Sequence, residues 1–277
     1  MSFSGRTALV TGGGTGLGLA IADALGRRGA AVALASRSAG HLDRGREVLE
    51  AAGTRVRTFP CDVRDAHAVR RTVAAVEETL GPLSLVVNNA AGNFVRPAEA
   101  LPEKAFATVV DIVLNGTFNV TRSAGRAMIA RGTGGVVLNV VATYAWTGGP
   151  GTVHSAAAKA GVLALTRTLA VEWARHAIRV VAIAPGAFDS AGAADRLWPS
   201  PAMEERVRAA IPLGRFARRD EVAEAAAWLM SDEAAYVTGE CLTLDGGAWL
   251  GRGILGADAP IPKVRRRRRD STEESAE

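Results

Sequence analysis

Short apolar runs alternate along the chain with longer stretches in which apolar residues recur every three or four positions. The short runs read as buried strands: Arg6–Thr11, Ala31–Ser36, Val56–Pro60, Leu83–Asn88, Gly135–Val141, Ile178–Ala184 and Cys241–Leu244. The longer ones read as helices over Gly16–Arg28, His41–Ala52, Asp65–Leu80, Glu103–Arg131, Ser155–His176 and Asp220–Met230. In the first of these, Leu17, Ala20, Ile21, Ala24 and Leu25 fall at helical spacing. Strands that are apolar throughout are covered on both faces, and strand–helix alternation implies parallel pairing through crossover helices. The predicted fold class is α/β: a single doubly wound domain with a seven-stranded parallel sheet and helices on both faces.

The rhythm breaks at about 187–213, a stretch of small residues with Pro199, Pro201 and a short amphipathic patch, Met203–Ile211. An insertion after a late strand lies at the carboxyl edge of the sheet, so a substrate lid is expected there. The domain is expected to span 1–255, with 256–277 as a tail, basic and then acidic. Lys263–Glu277 carries six basic and four acidic residues, leaving about +3 of the formal +5 for the rest. Arg265–Arg269 followed by Asp270 and further acids reads as a solvated tail, not a nucleic-acid element. The tail could also attract an anionic ligand or a partner. Cys61 and Cys241 have no metal-type or redox-type spacing, so no metal is expected. With no secretory signal, they point to the cytoplasm. No apolar run reaches the roughly 18–20 residues of a membrane span.

Candidate chemistry begins at the first strand–helix junction, Thr11-Gly12-Gly13-Gly14-Thr15-Gly16-Leu17-Gly18. Glycines there let the backbone approach a pyrophosphate, and the helix N-terminus offers free N–H groups. An acid at the end of the second strand would bind the ribose hydroxyls of NAD. This chain has Ser36-Arg37-Ser38 instead, and Arg37 suits the 2′-phosphate of NADPH. Asp62, with Val63, is placed to meet the adenine. Asn89 and Ala90 close the fourth strand near the same crevice. Only three lysines occur in the chain, Lys104, Lys159 and Lys263. A lysine inside the alanine-rich stretch 155–162 therefore invites a chemical role.

These pieces resemble the short-chain dehydrogenase/reductase superfamily, a Rossmann-type family. The match rests on Thr11-Gly12-x-x-x-Gly16-x-Gly18, Asn88-Asn89-Ala90, Asn115, Lys159 and Pro185-Gly186, and runs from about Phe3 to about Trp249. The superfamily's usual set is a Ser, a Tyr, a Lys four residues later, and an Asn. Here Asn115 and Lys159 match, but the Tyr position is Ser155 and the Ser position is Ala142. That departure argues against an ordinary ketone reductase. A narrower resemblance is to 2,4-dienoyl-CoA reductases, carried by Asn88–Phe94, Asp111–Thr117, Leu169–Trp173 and Asp245–Trp249. Mitochondrial members place the acid Tyr fifteen residues before the Lys and a Ser four before it, as Tyr144, Ser155 and Lys159 stand here. His154 is similar to a His of the peroxisomal members, although it reads here as a loop residue.

The resemblance implies NADPH-dependent reduction of 2,4-dienoyl-CoA to 3-enoyl-CoA by a homotetramer packed through the Glu103–Arg131 and Ser155–His176 helices. It places Tyr144 and Asn93 on the thioester oxygen, Lys159 on the nicotinamide ribose, Ser155 near nicotinamide or substrate, and Asn115 in a locally distorted helix, holding a water. Pro185 and Gly186 would close the cofactor site. Two alternatives stay open: a reductase of another enoyl thioester or conjugated carbonyl, and a cofactor-binding member without catalysis.

Overall fold

The computed structural model describes residues 1–189 and 200–250. Its seven strands are β1 (Thr7–Thr11), β2 (Ala31–Ser36), β3 (Val56–Pro60), β4 (Leu83–Asn88), β5 (Gly135–Val140), β6 (Ile178–Pro185) and β7 (Cys241–Leu244). All pair in parallel, in the order β3-β2-β1-β4-β5-β6-β7. Every residue of β1 is buried, as the unbroken apolar run requires. The edge strand β3 is only partly covered and ends in Pro60, which an edge tolerates because no ladder donor is lost.

Helices α1 (Gly16–Gly26) and α2 (Ala39–Ala51) pack on one face with the helix over Arg219–Met230. The opposite face is covered by α3 (Ala66–Leu80), by α5 (Gly116–Arg131) and by α7 (Val153–Trp173). Fully buried Leu25, Leu34, Leu85 and Leu138 anchor the first layer. Each such side chain contributes about 1.5–3 kcal/mol by leaving water. The α5–α7 seam is tight: a Cβ on Gly125 would lie 2.4 Å from the Trp173 ring.

Strand order reverses between β1 and β4, which are neighbours in the sheet although two strands and three helices separate them in sequence. Chains leaving such neighbours diverge to opposite faces and open a crevice at the carboxyl edge. Thr11 and Asn88 end their strands at that crevice.

The expected helix Glu103–Arg131 is interrupted. It runs as α4 (Glu103–Val110), a π-helical turn over Asp111–Asn115, then α5. The amide of Gly116 bonds the carbonyl of Asp111, one residue further back than an α-helix would. A four-residue helix, α6 (Tyr144–Thr147), carries the displaced tyrosine and was not foreseen. Helix α7 starts at Val153, so His154 and Ser155 lie in its first turn and His154 is not a loop residue. Within the proposed lid, the amphipathic patch forms α8 (Pro201–Ala209), with Pro201 at its start and Ser200 capping it. Residues 190–199 and 251–277, including the Arg-rich tail, lie outside the described residues. The insertion's stem is closed by an isolated bridge between Phe188 and Ala217. No helix among the described residues is long and apolar enough to cross a membrane.

Candidate active site

The glycine-rich turn between β1 and α1 is built for close approach. Gly12 and Gly16 adopt φ of 61° and 56°, in the left-handed region. A Cβ on Gly18 would sit 2.4 Å from the Gly12 carbonyl oxygen and 2.5 Å from Asn89 Nδ2. The first turn of α1 carries no acidic residue, and Thr15 makes no side-chain cap, so its N–H groups face outward unpartnered by side chains. Thr11 and Asn89 clamp the crevice. Thr11 Oγ1 accepts from the amides of Asn89 (3.0 Å) and Ala90 (3.1 Å) and donates to Val87 O. Asn89 Nδ2 returns bonds to the carbonyls of Thr11 and Gly12, each 3.2 Å. Filling any of these positions with a larger group would close the cradle, so the residues fit a dinucleotide pyrophosphate.

At the end of β2, Arg37 is exposed, Ser36 Oγ accepts from Ser38 N–H, and Ser38 caps α2 by accepting from His41 N–H. Asp62, at the end of β3, is held by Arg64: the carboxylate accepts from the Arg64 amide and from its guanidinium. Those bonds, with Arg37's charge as a smaller contribution, keep the Asp62 carboxyl below the usual range. Val63 is buried beside Gly116, whose Cβ would collide with it at 2.5 Å. Gly186 follows β6 and lies against Asp245, where a Cβ would meet Asp245 Cβ at 2.6 Å.

Further along the same edge, three side chains from three elements converge. Tyr144 of α6 and Ser155 of α7 share a hydrogen bond of 2.9 Å between hydroxyls. Asn93, in the loop after β4, points its amide at the Tyr144 hydroxyl, 3.5 Å away. Asn93 Oδ1 is committed to the Phe94 amide, which fixes the amide's orientation toward Tyr144. Burial pushes the Tyr144 pKa up, and the Ser155 bond opposes this more weakly. The phenol thus holds its proton across the physiological range. Lys159 lies one turn beyond Ser155 and donates to the Val140 carbonyl. It is 6% exposed, and burial lowers its pKa to about 8.

A family model described as Enoyl-(Acyl carrier protein) reductase matches residues 12–248. A probable 2,4-dienoyl-CoA reductase [(2E)-enoyl-CoA-producing] of Bacillus subtilis is 43% identical over 88% of this chain and 97% of its own. The peroxisomal 2,4-dienoyl-CoA reductase [(3E)-enoyl-CoA-producing] of Pongo abelii is 42% identical, covering 88% and 84%. A short chain dehydrogenase from Bacillus anthracis superposes with a TM-score of 0.82 at 40% identity, covering 90% of this chain and 98% of that one. The chain belongs to the short-chain dehydrogenase/reductase family. A gluconate 5-dehydrogenase-like structure from Beutenbergia cavernae, described as putative and NAD(P) dependent, contains NADP; it is 32% identical with a TM-score of 0.84, covering 90% and 98%.

Short-chain dehydrogenase/reductases use NAD(P), and the glycine-rich crevice fits such a cofactor. Not every expected site residue joins the cluster. The Asn115 side chain is exposed and donates to Asp111 Oδ1 at 2.8 Å; it bonds none of the other candidates. Ser155 is not the helix cap, since Thr152 holds that position. The sequence reading missed the pair Phe94 and His154. Their rings stack at 4.3 Å, and His154 is fully buried. The stack ties the loop that carries Asn93 to the turn that carries Ser155. The resemblance had pointed to His154 alone; nothing in the sequence pointed to its pairing with Phe94.

Proposed function

We propose that this enzyme reduces a conjugated acyl thioester with NADPH, converting 2,4-dienoyl-CoA to 3-enoyl-CoA. One observation carries the reading: the acid missing from its usual place beside Lys159 reappears as Tyr144, hydrogen-bonded to Ser155 and faced by Asn93. The names of the relatives agree with the substrate class.

A nicotinamide held in the cradle would supply the hydride, which C5 of the dienoyl chain would receive. Negative charge then develops on the thioester oxygen, remote from the carbon attacked. Tyr144 O–H and Asn93 Nδ2 are two neighbouring donors that can meet one oxygen, the arrangement an oxyanion requires. Ser155 steers the Tyr144 hydroxyl by sharing its hydrogen bond. Lys159 is mostly protonated at neutral pH, and its ammonium is suited to the cofactor's ribose hydroxyls. Protonation at Cα by water then gives the 3-enoyl product. Arg37, with no acid at the end of β2, supports NADPH over NADH. Exposed Phe106 and Phe118, with Val171 on α7, lie on the helices expected to pair subunits, which supports a homotetramer. The two free cysteines fit a reducing cytoplasm.

A second reading, reduction of a 2-enoyl thioester, is favoured by the description of the matching family model. The test is NADPH consumption with 2,4-dienoyl-CoA, 2-enoyl-CoA and a simple ketone, with product identity read by NMR. Dienoyl turnover to the 3-enoyl isomer supports the proposal. Turnover of the ketone alone removes it.

A further inference from the structure

At the opposite edge of the sheet, the amino ends of β1, β4, β5 and β6 surround a cavity of about 730 Å³. Its walls include Arg6, Ser84, Thr133, Arg179 and Asp232. Arg179 is spent on structure: its Nη groups donate to the carbonyls of Leu229, Val237 and Ser231. Arg6 is not. Its bonds to Ser84 Oγ and Asp232 Oδ1 are both 3.5 Å, at the limit of a hydrogen bond, and Asp232 is 94% exposed. A carboxylate so wetted neutralises little. Burial lowers the pKa of both guanidinium groups, and Arg6 lowers that of Arg179 further by like charge. Two half-buried cations therefore share one weak counter-ion, in a cleft with hydroxyls at hand.

We infer that this cleft binds a doubly charged oxyanion, a phosphate ester or a dicarboxylate, through Arg6, remote from the catalytic edge. Arg6 presents a planar fork with bonds loose enough to be exchanged for an anion's oxygens. Ser84 and Thr133 hydroxyls are at hand as further donors. Asp232 competes for the same guanidinium, so it acts as a weak gate.

Isothermal titration calorimetry on the full-length protein, at low ionic strength, tests this with inorganic phosphate and with succinate as separate probes. Arg37→Gln serves as the background, to remove the arginine proposed for the cofactor's 2′-phosphate. Arg6→Gln is expected to weaken binding roughly tenfold or more, the value of a charge-assisted bond. Asp232→Asn is expected to strengthen it about two- to threefold, because an exposed competitor is removed. The probe that binds more tightly assigns the source. If Arg6→Gln misfolds, the rise with Asp232→Asn still decides. Equal affinity in all three proteins, or no heat from either probe, overturns the inference.

Discussion

Replacing Lys159 with methionine separates what the site needs from what the fold prefers. The ammonium sits almost wholly buried, and its pKa falls from 10.5 to about 8. That shift of about 2.5 pH units corresponds to roughly 3 kcal/mol of penalty on the charged form below pH 8. Methionine fills similar space without the charge. It forfeits the charge-assisted bond to the Val140 carbonyl, worth about 1.5–3 kcal/mol. The cofactor-free variant should therefore be more stable than wild type at pH 7 by about 1 kcal/mol, a rise of a few degrees in Tm. The sign with pH follows from proton linkage. Between about 8 and 10.5 the unfolded wild type holds the proton that the folded form has released, so wild-type stability rises with pH across that window. The variant lacks this rise, and its advantage should shrink and then reverse by about pH 10.5. The assay is urea unfolding of both proteins at pH 7 and pH 10, cofactor-free and at one protein concentration, since assembly adds its own stabilisation. A variant less stable at pH 7, with a difference that does not move with pH, would falsify the claim that the site stores a desolvated charge. Turnover should be lost in the variant whichever way stability moves.

Wild-type kcat/KM should fall as pH rises through about 8, because the ammonium proposed to bind the cofactor loses its proton. Tyr144→Phe should cut kcat about 100-fold or more by removing an oxyanion donor. It should leave that alkaline limb in place, since the Tyr144 pKa is pushed up rather than down; a limb that vanished with the phenol would assign it to Tyr144 instead. Gly18→Ala should abolish dinucleotide binding in a fluorescence titration, because its Cβ would lie 2.4 Å from a backbone oxygen; retained affinity would mean the cradle opens elsewhere. Arg37→Gln should lower the NADPH-to-NADH preference in kcat/KM by about tenfold or more, the worth of a charge-assisted phosphate contact. An unchanged ratio would move the 2′-phosphate to other residues.

What could be read in advance, and what could not, divides along a physical line. The central strands were legible because a stretch buried on both faces is apolar, as Val32–Ala35 and Val180–Ala184 are. The cradle was legible because glycine takes the φ of Gly12 without strain and leaves the room that the approach at Gly18 needs. The π turn at Asp111–Asn115 left no mark in periodicity; the distortion at Asn115 was expected only through the family resemblance. Helix α6 is too short to show a period at all. The stack of Phe94 on His154 joins elements sixty positions apart and has no local signal.

The position of Tyr144 shows why the two kinds of legibility must be combined. Spacing places it fifteen residues before Lys159, but spacing alone cannot say whether the phenol reaches the site. The turn of α6 and the first turn of α7 do that, bringing its hydroxyl within 2.9 Å of Ser155. A tyrosine four residues before Lys159 would share the lysine's helix face. Set on a separate short helix, the phenol is freed from the lysine's register and can pair with Asn93 from a third element. Two donors from different elements can converge on one oxygen while the lysine serves another part of the site. That geometry suits chemistry in which charge appears far from the attacked carbon, and it fits a simple ketone, where the two coincide, less well.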